Sequence, residues 1–379
     1  MGGGDRRQAA PPPRQPGYDM TSSGGAPLPP DRSPTGPVDK IVRTLGYLAL
    51  LGVAVLFVWL TLKVDLVIFA GVLLAVGLRH PAVCLGRVTS LPAGWALVVV
   101  VLVILGIFSG IGWFFSQGIA SQIDQLSQQL PAAFVKLTGI VSKSGIGKTI
   151  AQHVSTTNLQ TSPAGMIEDF FGAAVNMVEV VGAVVVILFL GLYFAAEAEL
   201  YERGLLRLVA PARRARVGEI LNETANSLWY WILGRLLSMT VLGMLAILGL
   251  WLIGVPLPVV LGLLVGLLAF IPYVGAIVSA VPSVLLAGAI RLDLALYVIV
   301  LFVGIHTVEG YILVPLVQRR VVHLPPALTL SALIVLGVLA GFLGLLLATP
   351  LVAATMVIVR MAYVEDLLGD READSEPFA

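Results

Sequence analysis

Two apolar stretches, residues 255–290 and 327–360, are each too long for a single membrane crossing and too apolar to face water. As a straight helix each would run roughly 50 Å at about 1.5 Å per residue, against a hydrocarbon core of about 30 Å. Each must therefore double back. The first is broken at Phe270-Ile271-Pro272-Tyr273-Val274-Gly275 and again at Pro282; the second is broken at Gly341-Phe342-Leu343-Gly344 and at Pro350. Proline removes a helix N–H and glycine permits a tight turn, so these positions are expected to form hairpin tips. One ordinary span, 294–317, lies between them.

Five further segments read as crossings: 41–62, 66–79 (short, tilted or incomplete), 93–115, 172–196 and 229–254. With 58% of residues hydrophobic and only 12% charged, the chain cannot hide its apolar surface from water, which makes a soluble enzyme or a disordered scaffold a poor reading. The formal net charge of +1 gives no global field for nucleic acid. The expected fold is an all-α integral membrane protein of about eight membrane segments, including two opposed re-entrant or tight helical hairpins, plus a small extracytoplasmic helical domain.

Residues 1–40 hold nine prolines and seven glycines with no hydrophobic run, and are expected to form a disordered cytoplasmic tail. Residues 41–115 carry the first membrane helices. Residues 116–171 form an outer loop, in which Ile119, Ile123, Leu126 and Leu130 recur at helical spacing up to Pro131, the expected helix stop. That helix lies on the membrane, covers a vestibule, or is an inert connector. Residues 172–360 form the transport core, with a solvated helical hairpin at 197–226, and 361–379 a cytoplasmic tail. With the N-terminus inside, 18 Lys and Arg fall on the cytoplasmic side, leaving Lys63, Lys136, Lys143, Lys148 and Arg291 outside, as the positive-inside bias requires. Trp59, Trp113 and Trp251 then mark the outer interface, and Trp95, Trp229 and Trp231 the inner one.

Glu309 is the sharpest chemical signal. It lies within the span 294–317, where a carboxylate facing lipid costs on the order of 2.5 to 3.5 kcal/mol, so it is expected to face a cavity or a partner. His306 stands three residues earlier on the same helix face, and the two together are residue types able to relay a proton. The alternative is that Glu309 neutralises a positive group such as Arg235 and pins two helices together. Arg235 itself is explained equally by snorkelling to the interface. Because unwound backbone in a membrane must line a cavity or be buried in protein, Pro272, Tyr273, Gly275 and Pro350 are candidate lining residues, or packing turns without a ligand.

Other features carry less. Asn176 and Glu179 share a face near an outer helix end. Gly106/Gly110, Gly262/Gly266 and Gly337/Gly341 suit close helix contact, within one chain or between copies. Residues 142–149 end like a phosphate-binding loop, but the first position is Ser142 and the strand-then-helix context is missing, so ATP is not expected. Cys84 stands alone, and His80, His153, His306 and His323 lack the spacing of a metal site. No cofactor, metal or intramembrane catalysis is expected.

The runs Gly249–Pro256, Gly262–Gly266, Ile271–Gly275, Val308–Pro315, Gln318–Pro326 and Gly341–Pro350, in this order and spacing, resemble the bacterial autoinducer-2 exporter family of permeases over roughly residues 40–362. The resemblance implies a multi-pass inner-membrane protein of about eight segments. Some members are linked to export of the quorum signal autoinducer-2 and others to sodium/proton exchange. It also brings Pro315, which ends the fourth motif, into the candidate pathway. Ala276 stands where the family often has Pro, His306 where Gln is common, and Arg235 where Gln is frequent. The expected function is secondary transport of a small polar solute or cation. A sodium/proton antiporter, an ion channel and a non-transporting membrane scaffold are the alternatives. Membrane lipids and a homo-oligomer are the other expected partners.

Overall fold

A computed structural model describes residues 37–143, 177–315 and 325–370, and every element among them is helical. The chain divides into two units, Met1–Phe57 and Val58–Ala379. The described part of the first unit is the opening of helix α1 (Pro37–Thr89), with Leu45, Tyr47 and Leu48 exposed.

Within the second unit α1 continues through residues 63–65 without a break. This corrects the expected division into crossings 41–62 and 66–79. No glycine or proline lies between Gly52 and Gly71, and the Thr61 hydroxyl donates to Asp65 Oδ2 at 2.9 Å one turn on, so the polar residues here decorate a helix and do not end it. Helix α2 (Ala93–Lys143) likewise runs through Pro131, the expected stop. An interior proline costs about 3 kcal/mol. The flanking residues Leu130 and Ala133 are buried, with Leu126 against the same core, and that packing offsets the loss.

Helix α3 (Met177–Ala196) turns by 79° into the short α4 (Ala198–Arg207), and α5 (Arg214–Ile253) follows a 3₁₀ turn. Helices α4 and α5 meet at a corner formed by that 3₁₀ turn. Then come α6 (Pro258–Leu268), α7 (Val274–Ile290), α8 (Leu292–Val308) with a π-helical continuation Glu309–Leu313, and α9 (Pro326–Val359). Among the described residues four helices are long and apolar enough to cross a membrane, five if the bent α3–α4 pair is one span. Helices α6 and α7 fall short of that length.

The chain reverses direction within both long apolar stretches. The chain reverses at residues 269–273 to bring α7 against α6. In α9 the reversal is at Gly341, whose φ of 62° and ψ of −139° only glycine adopts readily. Residues 336 and 344 would be about 12 Å apart in a continuous helix, yet a Cβ on Gly344 would collide with the Leu336 carbonyl. Phe270, Ile271 and Val274 of the first tip pack with Leu333, Leu336, Leu345 and Ala348 of the second hairpin.

Helix α5 is the axis of this assembly and touches α6, α8 and α9. Its contact with α6 depends on small residues: a Cβ on Gly266 would lie 2.8 Å from Met239 O, and one on Gly243 3.2 Å from Gly262 O. The Gly262/Gly266 pair is thus an internal packing seam.

Candidate functional site

Where α6 ends, its last carbonyls lose their intrahelical donors and need others. The Phe270 carbonyl, at the hairpin tip, is taken by Arg235 of α5, whose Nε donates at 3.0 Å. The same guanidinium donates from Nη1 to Glu309 Oε1 at 3.4 Å, and the other carboxylate oxygen lies 3.0 Å from His306 Nδ1. Glu309 opens the π-helical segment, a distortion that often marks functional positions in helices. The hairpin tip, α5 and α8 therefore meet in one ionic chain from Phe270 through Arg235 and Glu309 to His306.

An ionised carboxylate only accepts hydrogen bonds, so against an ionised Glu309 the donor is His306 Nδ1, and in the tautomer with its proton there Nε2 is an acceptor. That Nε2 and Arg235 Nη2 are buried atoms without a partner among the described residues, one at each end of the chain of contacts. The side chains of Arg235, Glu309 and His306 are 11%, 18% and 25% exposed, so all three are part-buried.

The tip itself is strained. Tyr273 has φ +61°, a conformation costing on the order of 1–3 kcal/mol in a non-glycine residue. Its phenol is half-exposed, within electrostatic reach of Arg235. Pro272 is half-buried beside it, and Gly275 is buried so tightly that a Cβ would run into the Leu268 carbonyl. Pro350 is buried in the second half of α9, and Pro315 is exposed beyond the π segment, so neither presents a polar group to the ionic chain. Asn176 lies outside the described residues, as does the Glu179 side chain.

Sequence reasoning missed two participants. One is the Phe270 carbonyl, a backbone group with no residue signature. The other is Trp231, placed at the inner interface by the aromatic pattern but buried in the structure. Its ring meets Phe270 edge-on at 5.5 Å and 89°, one helical turn before Arg235. The i, i+4 spacing of Trp231 and Arg235 was the available clue.

Comparison with known proteins agrees on one family. The model described as AI-2E family transporter matches residues 47–363. The chain is similar to "Putative transport protein YrrI" of Bacillus subtilis (strain 168), with 29% identity over 264 residues, 66% of this chain and 74% of that protein. It is also similar to "Putative transport protein MT0215" of Mycobacterium tuberculosis, with 28% identity over 322 residues, 81% of this chain and 86% of that protein.

Proposed function

The chain belongs to the AI-2E transporter family, and from that premise we propose that it is a secondary transporter whose solute path runs beside the Arg235–Glu309–His306 chain. The observation that carries the reading is the bond from Arg235 to the hairpin-tip carbonyl of Phe270. Through it the charge state of a membrane carboxylate acts on the position of an unwound tip. Protonation of Glu309, or its capture of a cation, weakens its hold on Arg235, and Arg235 is then free to release the tip. His306 Nε2 offers the entering proton a first landing place.

The hairpin α6–α7 and the folded halves of α9 act as two re-entrant elements that enter from opposite faces, the first tip packing against the second hairpin. The packing of Phe270, Ile271 and Val274 on Leu333 and Ala348 supports this. The inner bacterial membrane, with the arginine-rich helix ends toward the cytoplasm, is the fitting location. Arg235 Nη2 as donor and His306 Nε2 as acceptor suit a small oxygen-rich solute, and autoinducer-2 is the candidate the family name supplies. A sodium/proton antiporter would use the same carboxylate.

Counterflow and uptake by proteoliposomes of the full chain, against a panel of polar solutes and cations, test this. Movement of an organic solute that accelerates under a proton or sodium gradient supports solute transport. Cation exchange without any organic solute supports the antiporter. No movement of either contradicts the transport reading.

A further inference from the structure

A cavity of about 1860 Å³ opens between the second half of α1, the bent helix α4 and the start of α5, and none of the pathway residues lines it. It exceeds the roughly 300–1,000 Å³ of ordinary small-molecule pockets. Along α1 the lining changes character in one direction: Ile68, Val72 and Val76 come first, then Arg79, His80 and Arg87. From Ile68 to Arg79 the helix rises roughly 16 Å, about half the ~30 Å hydrocarbon core, so the gradient matches one leaflet.

The polar end is built. His80 is held with Nε2 3.2 Å from Asn226 Oδ1 and its ring stacked on Trp229 at 5.0 Å and 9°. Arg79 is half-buried and Arg87 exposed, and neither has an ion pair among the described residues. One acid, Glu202, lines the same cavity. Glu197 and Glu199 line the adjoining crevice with Arg79, and Glu199 is engaged by Arg203 at 3.8 Å. Within the cavity's own lining Arg79 and Arg87 outnumber the single acid, Glu202. The remaining wall is α4, with Leu200, Tyr201 and Leu205 lining the cavity and no residue buried. An amphipathic helix turned 79° from a membrane helix is oriented to lie in the headgroup plane.

We propose that this cavity binds one anionic phospholipid of the cytoplasmic leaflet, with its phosphate between Arg79 and Arg87 and an acyl chain along Ile68, Val72, Val76 and Phe194. The leaflet rests on the orientation given above; the site itself does not depend on the transport reading. Basic pockets between membrane helices select anionic headgroups because a zwitterionic lipid carries its own compensating cation.

The test is binding and thermal melting of the full-length protein in neutral detergent, with phosphatidylglycerol or phosphatidylcholine added, and native mass spectrometry to count bound lipid. Phosphatidylglycerol is expected to be retained and to raise the melting temperature, and phosphatidylcholine to do neither. Arg79→Gln with Arg87→Gln should weaken phosphatidylglycerol binding at least tenfold, the scale of one lost charge-assisted hydrogen bond. Val72→Trp, which fills the apolar end, should weaken it with both arginines present. The exposed Arg87→Gln alone should weaken it about tenfold, which keeps the test decisive if the double variant does not fold. Equal binding of the two lipids, undiminished binding in the variants, or full displacement by inorganic phosphate would each overturn the proposal.

Discussion

Arg235 and Phe270, 35 positions apart in sequence, are joined by a 3.0 Å hydrogen bond from the guanidinium Nε to a backbone carbonyl at a hairpin tip. The same guanidinium reaches a carboxylate on a third element. A planar fork with donors in fixed directions can serve both acceptors at once, whereas a lysine ammonium is a single point charge.

Arg235→Lys is therefore expected to insert and assemble while losing transport. Flux in proteoliposomes should fall at least tenfold, with unchanged elution on size-exclusion chromatography. Flux at the parental level would show that the tip carbonyl needs no arginine.

The Arg235–Glu309 pair should also be visible as coupling. Removing one partner leaves the other largely desolvated and uncompensated, and that costs more than removing both. A double-mutant cycle with Arg235→Met and Glu309→Gln, read by denaturant unfolding in detergent, is expected to give an interaction of roughly 1–3 kcal/mol. Additive losses would mean that the two charges do not sense one another.

Gly275 and Gly344 fix the two fold-backs, because a Cβ at either would strike a carbonyl of the preceding helix. Backbone cannot move aside as a side chain can. Gly275→Ala and Gly344→Ala are each expected to cost about 1–3 kcal/mol of stability through overpacking. Gly106→Ala, at a position with open space, should be nearly silent in the same melting assay.

How much of this was legible in the sequence depends on what kind of signal each part leaves. The fold-backs at 270–275 and 341–344 were readable because length and Gly/Pro content leave a long apolar stretch no other solution. Glu309, His306 and Arg235 were readable because charge inside a membrane segment is costly. That Arg235 serves two acceptors was not, since one of them is a carbonyl that any residue type would carry. The continuity of α1 past Lys63 and of α2 past Pro131 was also hidden. In each, a local signal for a break lost to contacts: Thr61 with Asp65 in one, burial of Leu130 and Ala133 in the other. Trp231 was misplaced because an aromatic near a helix end reads alike whether it faces headgroups or a neighbouring ring.

Arg216 at the start of α5 ties down the segment after α9. Its guanidinium contacts Glu219 at 2.8 Å, Glu365 at 2.6 Å and Asp366 at 3.0 Å. Arg216→Ala is expected to lower the melting temperature at low salt, and the difference from the parent should shrink as ionic strength rises and screens the parental network. A difference that does not change with salt would assign the effect to packing.

The most direct measurement is solute flux through Glu309→Gln in proteoliposomes, beside the parent and with insertion and assembly verified. The substitution keeps the shape of the side chain and removes its charge and its ability to take up a proton. The account predicts that gradient-driven flux is abolished while the protein remains folded. Flux unchanged from the parent would contradict it and leave the Arg235–Glu309 pair as a pin between helices.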